Sequence, residues 1–112
     1  MSVSNDGYVD VADALSRIGG NMDLYKRLLG RFVDGNQLDA LETALASADH
    51  EESARAAHTF KGIAANLSLV KLRELSASLE QDVKAGLDYS AKLSEIKDAY
   101  SETVKIIAEI MG

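Results

Sequence analysis

The chain has 112 residues, a formal net charge of -6 at pH 7, and neither proline nor cysteine. This length suits one domain with a single hydrophobic core. The negative charge argues against binding to a phosphate backbone or an anionic lipid surface, so we expect neither nucleic acid nor membrane as a partner. Without cysteine there is no disulfide and no thiolate metal site, and no apolar run reaches the roughly 18 residues needed to span a bilayer. We therefore expect a cytoplasmic protein.

The chain is predicted to be helical, because small and unbranched side chains dominate its composition. Residues 1–8 lack periodicity and are interpreted as an N-terminal tail, which leaves 9–112 as a single domain. Asp10 is a candidate N-cap for a short helix that Gly19-Gly20 ends. Asn21 is the next N-cap, and apolar residues then recur at helical spacing. We predict one long helix over 22–47, bent near Gly35, with a break there as the alternative.

The second half is predicted to form three more helices. Asp49, followed three residues later by Glu52, indicates a capping box, and Ser68 is a candidate N-cap for the next helix. Gly86 is a natural stop, and Asp88 or Ser90 opens the last helix. Its apolar stripe comprises Leu93, Ile96, Tyr100, Val104, Ile107 and Met111. Short links favour antiparallel neighbours, so the predicted fold is all-α: an antiparallel up-and-down four-helix bundle with a short additional N-terminal helix.

The helix after Asp49 contains an alanine-rich run around His58. At about 100° per residue, the apolar residues of this helix fall on the far side from His58, which should therefore face solvent. The residues within roughly 60° of it are Glu51, Ala54, Arg55, Lys61, Gly62 and Ala65. A mid-helix glycine costs about 1 kcal/mol relative to alanine. We interpret Gly62 and the two alanines as clearance that lets another protein's active site close over the imidazole.

An exposed neutral imidazole offers a ring nitrogen with a free lone pair, so His58 is a candidate nucleophile. Lys61, one turn later, can bring an ammonium to phosphoryl oxygens, and Arg55 can do so from the other side. The sequence has no Gly-rich phosphate loop, Glu-x-x-His pair or other metal motif, so we predict no cofactor and no metal of its own. His50, at the start of the helix, is interpreted as a turn histidine.

This run resembles the signature of histidine-containing phosphotransfer (HPt) domains, in which a histidine is followed by two residues and then Lys-Gly. The matching residues here are His58-Thr59-Phe60-Lys61-Gly62-Ile63-Ala64-Ala65-Asn66-Leu67, with Leu15-Ser16-Arg17-Ile18-Gly19-Gly20-Asn21, Leu24-Tyr25 and Leu28-Leu29 upstream and Leu72, Leu75 and Leu79-Glu80 downstream. The resemblance covers about residues 9–86. Ser68 stands where the family often has glycine, and Ile63 where it often has a small polar residue.

The resemblance implies a phosphorelay intermediary, in which His58 accepts a phosphoryl group from a receiver-domain aspartate and passes it to another receiver. Lys61 would neutralise phosphoryl charge. The expected docking surface comprises Ala54, Arg55, Gly62 and Ala65, extended by Arg73, Gln81 and Lys84. The expected partners are response-regulator receiver domains, which would supply Mg²⁺, and a hybrid sensor histidine kinase. The chain itself would be a monomeric carrier without autonomous kinase activity. The alternative is a helical adaptor that binds a receiver or kinase without being phosphorylated.

Overall fold

A computed structural model describes residues 7–112, which form six α-helices and no strand. The helices are α1 (Val11–Arg17), α2 (Met22–Asp34), α3 (Gln37–Ala46), α4 (His50–Asn66), α5 (Val70–Lys84) and α6 (Ser90–Met111). Residues 1–6 of the predicted tail lie outside the described residues. No helix in the described part is long and apolar enough to cross a membrane. The prediction of an all-α bundle with a short extra N-terminal helix is confirmed.

Three side-chain caps begin helices where the sequence predicts them. Each cap oxygen accepts a hydrogen bond from the backbone N–H three residues later, which satisfies one of the free donors at a helix start. The bonds run from Asp13 to Asp10 at 3.0 Å, from Leu24 to Asn21 at 3.0 Å and from Glu52 to Asp49 at 3.1 Å. The reciprocal half of the predicted capping box is wrong, because the Glu52 carboxylate instead pairs with Arg55 at 2.8 Å.

The continuous helix predicted over 22–47 is also wrong, and the alternative of a break is correct. Asn36 adopts the left-handed conformation, with φ of 54° and ψ of 49°, and so separates α2 from α3. Asparagine tolerates this conformation better than most residues. A Cβ on Gly35 would lie 2.9 Å from the Arg31 carbonyl oxygen, so a larger residue there would require the local backbone to shift.

The two halves of this interrupted helix nevertheless follow one another along α4, in the antiparallel direction. The Tyr25 hydroxyl donates to the Leu67 carbonyl oxygen at 2.8 Å, at the end of α4. The Phe32 ring lies 6.4 Å from that of Phe60, and the Ser53 hydroxyl donates to the α3 carbonyl of Ala44 at 3.3 Å. The pair α2–α3 therefore takes the place of one helix in the bundle, beside α4, α5 and α6.

The core is continuous through these helices, with α4 between α3 and α5, α5 against α6, and α2 returning to α6. The ring of Phe32 lies 5.6 Å from that of Tyr100 and so joins α2 to α6. The stripe predicted for α6 is partly wrong. Met111 is 44% exposed, whereas Ala99, Thr103 and Ile110 are buried beside the correctly predicted Ile96 and Ile107.

Ser68 does not cap α5, contrary to prediction. It lies in the turn between α4 and α5 with φ of 57°, a conformation that glycine adopts most easily. Its side chain is fully buried, and its hydroxyl donates to the Asp13 carboxylate at 2.7 Å. α5 instead begins at Val70 after Leu69, without a side-chain cap. The serine at this position is thus held by α1 rather than by the helix that follows it.

Candidate functional site

His58 occupies the exposed face of α4, as the periodicity predicts. Its side chain is 67% exposed, and residues on the opposite face of the helix are buried. Those residues include Ala57, Phe60 and Ala64, which belong to the hydrophobic core. Because the rear of α4 is fixed by this packing, the helix cannot rotate His58 out of its position without exposing core surface.

The imidazole is not isolated, because a carboxylate on α5 contacts it. Glu80 Oε2 lies 3.0 Å from His58 Nδ1 and 3.0 Å from Lys84 Nζ, and Glu80 Oε1 lies 2.7 Å from Lys61 Nζ. The Glu80 side chain is only 6% exposed. A single carboxylate therefore joins the histidine to two lysines, one on each of the two helices.

Sequence reasoning noted Glu80 only as part of the family resemblance and gave it no role. The available signal was its position: Lys84 follows it by four residues on one helix face, a spacing at which opposite charges pair. An acid directly after the buried stripe residue Leu79 was a second sign that its side chain lies near the core boundary.

The contacts of Glu80 determine its charge. They lower its pKa from 4.5 to about 2, chiefly through the hydrogen bond from Lys61, against the opposing effect of burial and with smaller contributions from Lys84 and His58. Glu80 is therefore an anion at neutral pH, and an ionised carboxylate can only accept hydrogen bonds. The Nδ1 atom of His58 must then be the donor, so we assign the Nδ1–H tautomer to the neutral ring. The free lone pair belongs to Nε2.

Lys61 is placed one turn from His58, as expected, and is half-buried between α4 and α5. Its ammonium is bonded to Glu80 rather than standing free for a ligand. Lysine carries three N–H donors, so this bond leaves others for phosphoryl oxygens. The role predicted for Lys61 toward a phosphoryl group stays a prediction.

Of the three small residues around His58, only Gly62 faces open space. A Cβ added there would meet no atom within 4 Å. Ala54 packs against the core, so packing within the protein limits its size, and Ala65 is half-buried. Packing within the described chain gives no reason for glycine at position 62, although glycine weakens the helix there.

The other residues predicted for the docking surface differ in exposure and in their partners. Arg55 is exposed and paired with Glu52, Arg73 is half-buried, and Gln81 is exposed on α5. Lys84 forms an ion pair with Glu80.

On the other side of α4, an open groove of about 210 Å³ separates α4 from α3. Its lining includes Ala40, Ala44, Ala56, Thr59 and Ile63.

The far end of α4 is held by α1, a contact that sequence reasoning did not foresee. The Arg17 guanidinium donates to the carbonyl oxygens of Ala65 and Asn66 at 3.1 and 3.2 Å, and also to the Ser68 hydroxyl. A cation at a helix C-terminus also meets the negative end of the helix dipole. The helix that carries His58 is thus fastened at its C-terminal end.

His50 is the exposed first residue of α4 and lies two helical turns from His58. Within residues 7–112, no group of three or more His, Cys, Asp or Glu side chains is arranged to hold a metal ion.

The fold and site together define a helical module that presents one carboxylate-oriented histidine on an open helix face. The family model for the Hpt domain matches residues 28–105, more than two thirds of the chain, and the protein belongs to this family. Hpt domains carry phosphoryl groups in two-component phosphorelays, between histidine kinases and receiver domains. The match extends past residue 86 into α6 but begins at Leu28, so residues 9–27 of the resemblance lie outside it. No curated protein and no solved structure matched in the corresponding comparisons.

Proposed function

We propose that His58 is the phosphoacceptor of a phosphorelay intermediary, and that it takes a phosphoryl group from the aspartate of one receiver domain and delivers it to another. The observation that supports this most directly is the 3.0 Å contact between His58 Nδ1 and the anionic Glu80. It assigns the lone pair to Nε2 of an imidazole that is 67% exposed, where a partner's aspartyl phosphate has access.

The transfer needs no proton from outside. The Nε2 lone pair forms the bond to phosphorus while the bond from phosphorus to the aspartyl oxygen breaks, and that electron pair remains on the aspartate carboxylate. The ring keeps its proton on Nδ1 and becomes positively charged. Glu80, bonded to that N–H, stabilises the charge, as a carboxylate behind a catalytic histidine does elsewhere. Return of the phosphoryl group to a second aspartate reverses these steps.

Lys61 and Gly62 have supporting roles in this proposal. Lys61 directs a spare N–H donor at the phosphoryl oxygens, whose negative charge must be balanced in an in-line transfer. Gly62 leaves space for the rim of the receiver's active site. The Mg²⁺ that balances charge on the receiver side is supplied by the receiver domain. We further propose that the protein works as a cytoplasmic monomer between a hybrid sensor kinase and a response regulator.

The test is incubation with a receiver domain that carries labelled aspartyl phosphate. The wild-type protein should acquire an acid-labile, base-stable phosphate, and His58→Gln should abolish the labelling. His50→Gln is the matched control, since it removes the other imidazole of α4, and it should be labelled like the wild type. Labelling that survives His58→Gln, or that depends on His50, contradicts the proposal.

A second measurement separates this function from the adaptor alternative. An adaptor that binds without phosphorylation would bind the receiver and sustain its biological output after His58→Ala. The proposed carrier should lose the output with that substitution even where receiver binding persists. Output that is undiminished in the His58→Ala strain would favour the adaptor.

A further inference from the structure

The buried carboxylate of Glu80 contacts two positively charged side chains. Lys61 is bonded to Oε1 of Glu80, while Oε2 receives both Lys84 and the Nδ1–H of His58. With a neutral imidazole, the two ammoniums and one carboxylate leave the cluster with a net charge of about +1. Lys61 comes from α4 and Lys84 from α5, so the two cations reach Glu80 from different helices.

The proposed function creates a competition for one of these cations. A phosphoryl group on Nε2 brings about two negative charges close to the ring that Glu80 supports, and Lys61 is then shared between that group and Oε1 of Glu80. A lysine drawn toward the phosphoryl group weakens its bond to Oε1. Glu80 is only 6% exposed, so a weaker bond to Lys61 leaves its position more dependent on its other contacts. Without a further contact, the carboxylate would turn away from Nδ1.

We propose that Lys84 is a positioning residue that keeps Glu80 bonded to His58 Nδ1 while Lys61 is shared with the phosphoryl group. This inference rests on the proposed function of His58. Lys84 is suited to it because it contacts Oε2, the same oxygen that accepts from Nδ1, at 3.0 Å. Its own side chain is 61% exposed, so it holds the carboxylate from the solvent side without depending on α4.

The neighbouring arginine is already engaged elsewhere. Arg55, one turn before His58 on α4, pairs with Glu52 at 2.8 Å. Lys84, by contrast, lies one turn after Glu80 on the same helix, so its contact persists if α4 and α5 shift slightly against each other when a receiver docks. Lys61 is thus shared with the phosphoryl group, whereas Lys84 keeps its contact with the Glu80 carboxylate.

The experiment compares Lys84→Gln, Lys84→Arg and Lys71→Gln with the wild-type protein. Lys71→Gln is the matched control, because it removes the same charge from the exposed side of the same helix, about 20 Å away along its axis. Two quantities are measured: the rate of labelling of His58 by a phosphorylated receiver, and the Nδ1–H signal of His58 in ¹⁵N-histidine-labelled protein, before and after phosphorylation.

Lys84→Gln should slow labelling about tenfold, equivalent to roughly 1.4 kcal/mol in the barrier, whereas Lys84→Arg and Lys71→Gln should stay within about twofold of the wild type. Before phosphorylation, Lys84→Gln should keep its Nδ1–H signal, because Lys61 still holds Glu80. After phosphorylation it should lose that signal, and the wild type should keep it. Loss of the Nδ1–H signal only after phosphorylation distinguishes a positioning role of Lys84 from a merely structural one.

The results that would contradict the inference about Lys84 differ from those that would contradict the proposed function. If the wild type is labelled on His58 and Lys84→Gln behaves like Lys71→Gln, the inference fails while the proposed function stands. Loss of the Nδ1–H signal in Lys84→Gln before phosphorylation would make Lys84 a static support and overturn the inference. Equal slowing by Lys84→Arg would also overturn it, since the charge would be present without effect. A wild type that is never labelled overturns both proposals.

Discussion

Replacing Glu80 by glutamine should reveal how much the buried carboxylate stabilises the fold. Its contacts with Lys61, Lys84 and His58 lower its pKa from 4.5 to about 2, which corresponds to about 3 kcal/mol at 1.36 kcal/mol per pKa unit. The carboxylate is covered mainly by side chains that are themselves exposed: His58 is 67% and Lys84 61% exposed. Solvent therefore screens these contacts, and we expect Glu80→Gln to cost about 1–2 kcal/mol at pH 7.

The sign of the pH dependence follows from the lowered pKa. Because the folded protein binds a proton on Glu80 less readily than the unfolded chain, this stabilisation is fully present above about pH 4.5. It is lost as the pH falls toward 2, where the folded carboxylate is protonated as well. Between these limits, the difference in unfolding free energy between the wild type and Glu80→Gln should shrink.

Urea unfolding followed by far-ultraviolet circular dichroism at pH 7, 5, 4 and 3 measures this difference. Glu74→Gln is the control, because Glu74 is an exposed acid on the same helix. It should change the unfolding free energy by less than about 0.5 kcal/mol at any of these pH values. A difference between wild type and Glu80→Gln that is the same at pH 3 as at pH 7 would refute the assigned charge state of Glu80.

Three further substitutions test other parts of the structure. Gly62→Ala should raise the unfolding free energy by about 1 kcal/mol. Gly62→Gln should leave the helix at least as stable but slow phosphoryl transfer from a receiver. Normal transfer by Gly62→Gln would contradict the interpretation of Gly62 as clearance for the receiver. Ala48 has φ of 62°, so Ala48→Gly should stabilise the protein by about 0.5–1 kcal/mol in a urea titration, whereas Ala40→Gly within α3 should destabilise it by a similar amount. Arg17→Ala should cost about 1–2 kcal/mol and increase hydrogen exchange at the end of α4; unchanged exchange there would show that Arg17 does not fasten that helix.

The sequence by itself determined the helical content, three of the helix caps and the face on which His58 lies. These properties are local: a cap depends on a side chain and the N–H three residues later, and the angle between His58 and Phe60 on one helix follows from 3.6 residues per turn. The break at Gly35-Asn36 could be predicted only as an alternative. The apolar spacing favoured a continuous helix, whereas Gly35 and Asn36 permit a turn, and the helix breaks at these residues.

Only the tertiary structure decided what surrounds the histidine. The contact between His58 and Glu80 joins residues 22 positions apart on two helices, and it depends on how α4 and α5 are rotated and aligned against each other. The same holds for Ser68, which looks like a helix cap in the sequence and is instead bonded to Asp13 of α1. Helix periodicity fixes directions within one helix but not the register between helices, which is set by the packing of the core. That packing assigns the proton to Nδ1 and the lone pair to Nε2 of His58.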